Sequence, residues 1–307
     1  MKKKSTAIRM SRGDRVFVAI NAALLILFFL ITLYPMIYVL SASVSTPDAV
    51  GSGKMILLPI GFNLKGYQAV FQYKEIWTGY ANTLLYTVAG TAVNLAVTLP
   101  CAYALSRHDM KGRGILMTFF LITMYVGGGL VPSYINVQSL GLLYTRTIMI
   151  INGAISVYNM IVARTFFSSS IPWELHEAAM LDGCGDGRTF FKIVLPLSKP
   201  IIVVLMLYYG VGHWNEYFGA MIYLGTERIK YPLQLVLREI LMKSSFASQI
   251  GEGSLSVEEV KQMLQQRDTA NRMKYATIVL ATLPMLMLYP WCQRFFAKGV
   301  MIGSVKG

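Results

Sequence analysis

The sequence predicts an all-α polytopic membrane protein with six transmembrane helices, on three observations. Apolar residues make up 55% of the 307-residue chain and charged residues only 14%, against roughly 25% charged in a soluble domain. Mean hydropathy is +0.51. Apolar stretches long enough to cross a ~30 Å hydrocarbon core as helices recur along the chain: Val16 to Ser45, Tyr80 to Ser106, Ile115 to Ile135, Thr147 to Ala163, Ile201 to Leu224 and Tyr275 to Cys292.

The net charge of +13 would suggest nucleic acid in a soluble protein, but here its distribution sets topology. Residues 1–15 form a basic segment with Lys2, Lys3, Lys4, Arg9, Arg12 and Arg15. Arg107, Lys111 and Arg113 fill the turn after the second stretch, and Arg294, Lys298 and Lys306 follow the sixth. With six spans, all of these fall on one side, which short basic loops make cytoplasmic. Both termini are therefore expected inside, with a tail over residues 297–307 and a membrane domain over 16–296. The first stretch is too long for a cleaved signal peptide and is read as a retained helix. Cys101, Cys184 and Cys292 fall at or near the cytoplasmic face and share no ligand spacing, so neither a disulfide nor a metal site is expected.

Following the chain outward, Thr46 to Gly79 is a Gly- and Pro-rich external loop ending in interfacial aromatics. In the third stretch, Gly127-Gly128-Gly129 followed by Pro132 interrupts the helical pattern. That leaves three readings: a pathway-lining break including Gly128, close helix packing, or the outer end of the span. Asn82 and Asn94 in the second stretch are expected to make helix-to-helix hydrogen bonds. In the fifth, Glu216 stands in an apolar setting beside His213, Trp214, Asn215 and Tyr217. A carboxylate there favours a polar interior over lipid, so these residues are candidates for a substrate path, an interhelical polar contact or an outer-leaflet position.

Residues 225–272 form an external module. Leu233, Val236, Leu237, Ile240 and Leu241 give Tyr231 to Met242 one apolar helical face, and Ser256 with Glu259 forms a capping box opening a second short helix. The module's seven basic residues interleave with six acids, so its charge alone does not choose a ligand.

The remaining polar run lies between the fourth and fifth stretches, within residues 170–196. Pro172 suits a first helical turn, Glu174 and Glu177 favour a helix N-terminal half, and Gly183 suits its end. A helix to about Asp182 follows, then a second one capped by Asp186, carrying Phe190, Phe191 and Ile193 and stopped by Pro196 and Pro200. Ala178 and Ala179 would let this helix approach another surface closely, with Glu177 and Asp182 offering carboxylates to it.

The triplet Glu177-Ala178-Ala179, the pair Asp182-Gly183 and Ile193-Val194-Leu195-Pro196 resemble the coupling loop of membrane subunits in ATP-binding-cassette importers. Leu33-Tyr34-Pro35, Trp214-Asn215-Glu216-Tyr217 and the segment from Tyr289-Pro290 to Gly303-Ser304-Val305-Lys306-Gly307 resemble the oligosaccharide branch, in its second-permease type. The external module is the part least typical of that branch. The resemblance implies a type I importer permease fold with a short cytoplasmic coupling helix. It also implies a second, non-identical permease, two ATPase subunits, an extracytoplasmic solute-binding protein and a sugar substrate, in a bacterial cytoplasmic membrane and without nucleic acid.

By that resemblance Glu177, Ala178, Ala179, Leu181, Asp182 and Gly183 meet the ATPase, and Gly303, Ser304, Val305, Lys306 and Gly307 reach its interface. The loop Gln249, Ile250, Gly251, Glu252, Gly253 and Ser254 would probe the binding protein. No Gly-x-x-x-x-Gly-Lys-Ser/Thr loop occurs. No catalytic residue and no cofactor are therefore expected on this chain, with ATP and Mg on the partner subunits. The alternatives are a permease for another small solute and a stand-alone secondary transporter.

Overall fold

A computed structural model describes residues 11–246, 271, 273–288 and 290. The described residues are helical, and they divide between two compact units, one within Met1–Val70 and Lys243–Val279, the other within Phe71–Met242 and Leu280–Gly307.

In the first unit, α1 (Arg12–Ser43) opens with a capping box: the Ser11 hydroxyl accepts from the Asp14 amide, and Asp14 accepts from the Ser11 amide. Its most apolar window is wholly unburied, as befits a helix whose solvent is lipid. After α2 (Pro47–Gly51), the chain folds back on the end of α1. The Asn63 amide bonds Val44 O at 2.8 Å and the Ser41 hydroxyl bonds Leu57 O at 2.6 Å. Helix α3 (Lys65–Gln72) follows.

The second unit is organised around α4 (Lys74–Ser106). Thr83, Gly90, Asn94, Thr98 and Ala102 are among its buried residues. Small and polar residues of this kind let helices approach closely and bond across. Helix α5 (Arg113–Tyr125) and α6 (Leu130–Ser139) meet at 113° across the glycine triplet, where Gly129 takes φ 84°. Next come α7 (Arg146–Ile151) and α8 (Val157–Ser170), then α9 (Trp173–Leu181) and α10 (Asp186–Thr189). A π-turn over Phe190–Val194 leads to α11 (Leu195–Leu197). Pro196 has no amide to close an α-turn there, and a π-turn accommodates the gap. An 82° bend separates this segment from α12 (Lys199–Trp214). Helix α13 (Phe218–Tyr223), α14 (Leu233–Phe246) and the apolar helix α15 (Met273–Leu288) complete the order. Helices α7, α8 and α12 pack on α4, and a core of Leu99, Tyr103, Met160, Phe167, Phe190, Ile201 and neighbours joins them to the π-turn.

By length and composition, two described helices can cross a membrane, or up to four if each bent pair is one span. The sequence pattern reads six. Part of the difference lies in breaks, since the third stretch bends at its glycines, the fourth splits at Asn152–Ser156 into α7 and α8, and the fifth splits at Asn215–Tyr217 into α12 and α13; the sixth is represented among the described residues by the shorter apolar helix Met273–Leu288. Apolar content continues through each break, while backbone regularity does not.

The start of the 225–272 segment is not free-standing. Helix α14 begins at Leu233, two residues later than the periodicity predicts, because Tyr231 is extended before Pro232. Leu233, Val236, Leu237 and Ile240 are buried. The Leu233 amide bonds the Thr83 hydroxyl at 2.8 Å, and a side chain on Gly79 would fall 3.1 Å from Leu233 Cα, so this segment is docked on α4. The Ser256–Glu259 capping box lies outside the described residues.

Candidate coupling surface and polar cavity

Helix α9 has two faces. His176 and Ala179, three residues apart, are buried, and Ala179 is only 3% exposed. Glu174, Glu177, Ala178 and Leu181 share the opposite, exposed ridge, as spacings of three and four residues require. Leu181 is 89% exposed at its tip. Asp182 is the C-cap, and Gly183 follows at φ 71°. The Cys184 amide reaches Ala179 O at 2.8 Å and the Gly183 amide reaches Met180 O at 3.0 Å, the paired bonds of a Schellman end. Gly185, rather than Asp186, is the N-cap of α10; Asp186 is its first residue, with its carboxylate turned to Arg107.

Beneath α9 lies a junction that the sequence pattern does not show. The Arg107 guanidinium is 10% exposed and donates to Asp186 at 2.5 Å and to both oxygens of Asp109 at 2.8 and 2.5 Å. It also lies 5.8 Å over the Trp173 ring. Hydrogen bonding to Asp109 holds the guanidinium pKa above its ordinary value, and the same bond holds the Asp109 carboxyl below the usual range. His176 is stacked between Tyr103 and Trp173, with centroids at 5.8 and 5.1 Å. Neither of its ring nitrogens has a hydrogen-bond partner. Burial lowers its pKa, opposed by the Pro172 backbone carbonyl and by Asp109 and Asp186 and reinforced by the nearby Arg107 charge. Arg107 thus ties the turn after α4 to the start of α10, while the aromatic stack roots α9 on α4. The basic turn after α4 reads in sequence as a topology signal only.

A cavity of about 230 Å³ opens where the α7–α8 break meets α4 and α12, with Asn94, Asn152, Ser156, Asn159, His213 and Glu216 among its lining. Asn94 is fully buried, and its amide donates to Gly153 O and Ala154 O at 2.9 and 3.0 Å while its oxygen accepts from His213 at 2.7 Å. Asn82 does the same for Ile229 O and Tyr231 O at 2.8 and 3.0 Å. Both asparagines make the expected helix-to-helix bonds, Asn94 with His213 of α12 and Asn82 accepting from Arg146 of α7 at 3.3 Å, and each also bonds a pair of carbonyls of irregular backbone. One Glu216 oxygen accepts from the Gly219 amide at 2.6 Å, satisfying the start of α13.

Of the residues singled out in the fifth and third stretches, His213 and Glu216 line this cavity. Trp214 is buried and donates to Ala281 O at 3.0 Å, Asn215 bonds Val211 O, and Tyr217 lies 5.9 Å from the Arg238 guanidinium. Gly128 is exposed in the α5–α6 break. Asn152, Ser156 and Asn159 were not singled out; the Asn152-Gly153 dipeptide, a turn signal, marks the place. Gln249–Ser254 and Gly303–Gly307 lie outside the described residues. Among the described residues, no His, Cys, Asp and Glu cluster could hold a metal.

The described residues thus form an apolar helical bundle with several bent or broken helices and one short, exposed two-faced helix, the class of a polytopic membrane protein. The family model described as "Binding-protein-dependent transport system inner membrane component" matches residues 6–302, and the chain belongs to that family. It is 40% identical over 298 residues to the polygalacturonan/rhamnogalacturonan transport system permease protein YtcP of Bacillus subtilis (strain 168), covering 96% of this chain and 99% of that one. It is 37% identical over 297 residues to protein LplC of the same organism, covering 97% of each. A crystal structure of a bacterial ABC transporter involved in the import of the acidic polysaccharide alginate matches with TM-score 0.81 and 35% identity, covering 94% of this chain and 100% of that one. The fold is that of a type I ABC permease, and the chain is an inner-membrane component of a binding-protein-dependent transport system.

Proposed function

We propose that this chain is the non-catalytic permease subunit of an ATP-driven importer that carries an oligosaccharide released by an extracytoplasmic binding protein. The observation that carries the reading is the outward ridge of α9, with Glu177, Ala178 and Leu181 exposed above a rooted inner face. An exposed leucine flanked by carboxylates is a surface made for a protein partner. That partner is one of two ATPase subunits, which hold ATP and Mg, and a second, non-identical permease completes the pathway. Both termini are cytoplasmic, and the membrane is crossed six times, three of the crossings by broken helices. Ala179 supports the contact from beneath, Asp182 and Gly183 end its helix, Gly303–Gly307 extend it, and Gln249–Ser254 face the binding protein. The sugar class follows from relatives whose names specify polygalacturonan, rhamnogalacturonan and alginate.

Reconstitution with the two ATPases, the second permease and the binding protein tests the reading. ATP-dependent uptake of a rhamnogalacturonan or galacturonan oligosaccharide is expected, and deletion of residues 177–183 abolishes it. Uptake that survived the deletion would sink the coupling assignment.

A further inference from the structure

We infer that the cavity beside Glu216 is a subsite for one neutral, hydroxyl-rich sugar ring, contributed by this subunit itself. The inference rests on the oligosaccharide reading above and adds to it where the substrate is held and which unit is chosen. A cavity of about 230 Å³ is below the roughly 300–1,000 Å³ that takes a drug-sized ligand and equals about eight waters at ~30 Å³ each, room for one ring and not two.

Its walls are already braced. Asn94 and His213 use their polar atoms to hold the Gly153 and Ala154 carbonyls and each other. What remains faces the space without a partner among the described residues. Asn159 is 7% exposed, lines the cavity, and its amide makes no hydrogen bond. Asn152 and Tyr208 also line it with unpaired side-chain groups, and the Ser156 hydroxyl retains its proton to donate. The Asn159 side-chain amide keeps its polar atoms open to the cavity, where a ligand hydroxyl can take the place of water as its partner. Amides, hydroxyls and a carboxylate together match vicinal sugar hydroxyls, which both donate and accept.

The charge selects further. Glu216 is the carboxylate of the lining, and among the described residues no lysine or arginine lines the cavity. A uronate carboxylate placed here meets like charge with no cation, so the site rejects it and accepts a neutral ring. In a chain that alternates neutral and acidic units, the neutral unit occupies this position.

The test uses the complete importer in proteoliposomes with its binding protein, and two probes: a rhamnogalacturonan tetrasaccharide, which alternates neutral rhamnose with galacturonate, and tetragalacturonate, acidic at every unit. The quantity read is kcat/KM for each probe, variant over wild type, which cancels the binding protein's own preference. Asn159→Leu fills the site without stranding a partner, and it is expected to lower the rhamnogalacturonan ratio at least about fivefold, the value of one hydrogen bond. Glu216→Gln keeps the Gly219 cap and is expected to raise tetragalacturonate relative to rhamnogalacturonan by a similar factor. Copurification of all subunits shows that each variant has assembled. Unchanged ratios in both variants, or an equal loss of both probes in Glu216→Gln, overturn the subsite while leaving the importer reading in place. A wild-type importer that moves neither probe overturns both.

Discussion

Removing both carboxylates that hold Arg107 will destabilise the junction under α9 by more than the two single removals together. The side chain of Arg107 is 10% exposed, whereas those of Asp109 and Asp186 are 45% and 74% exposed. Either aspartate rehydrates easily, and Asp→Asn at one of them leaves the guanidinium an anion. Each single change is therefore expected to cost about 0.5–1 kcal/mol, as exposed ion pairs do. With both gone, a cation nine-tenths covered keeps no anion, only neutral partners: the asparagine amide oxygens, the Tyr103 hydroxyl at 3.4 Å and the Trp173 ring at 5.8 Å. Breaking a buried pair costs about 3–5 kcal/mol, and water access on the aspartate side brings this to the low end, about 3 kcal/mol. The interaction energy is then about 1–2 kcal/mol. Chemical unfolding of the purified subunit in detergent, followed by intrinsic fluorescence in wild type, Asp109→Asn, Asp186→Asn and the double variant, measures it. A double variant equal to the sum of the singles within about 0.5 kcal/mol refutes the idea that Arg107 is the group whose burial matters.

Three further outcomes are expected. Gly90→Ala would put its methyl 2.4 Å from the His213 ring; the ring must leave, stranding the Asn94 oxygen at a loss of about 1–3 kcal/mol, read as a lower thermal unfolding midpoint and slower uptake. Gly183→Ala forces a Cβ into φ 71° and is expected to cost about 1 kcal/mol at the end of α9, lowering uptake per ATP hydrolysed more than it lowers assembly. For His176, flanked by Arg107, Asp109 and Asp186, the folded-state pKa lies below its ordinary 6.5. Between the two values the unfolded chain binds more protons, so stability is full above pH 6.5 and falls as pH drops below it. Unfolding scans from pH 7.5 to 5.5 should show this loss in wild type and a flatter profile in His176→Leu.

Where one residue's backbone chemistry decides the local fold, the sequence is readable. Gly183 ends α9, the glycine triplet bends α5 from α6, and Pro196 and Pro200 flank the 82° turn. Where side chains from distant segments decide, it is not. The two-sided character of α9 depends on what covers His176 and Ala179, so the run Glu177-Ala178-Ala179 reads as one surface in sequence and as two in space. Arg107 counts as one more positive charge in a basic turn until Asp186 is brought to it from the other side of α8.

The same reasoning makes one class of break readable after all. A broken helix leaves carbonyls without donors, and in an apolar setting each must be satisfied by protein. Asn94 supplies both amide hydrogens to Gly153 and Ala154, and Asn82 supplies both to Ile229 and Tyr231. A lone asparagine in a membrane helix thus signals a facing segment with paired free carbonyls as strongly as it signals another helix. Paired with Asn152-Gly153, a turn dipeptide inside an apolar stretch, it locates the α7–α8 break and, with it, the wall of the cavity that Glu216 closes.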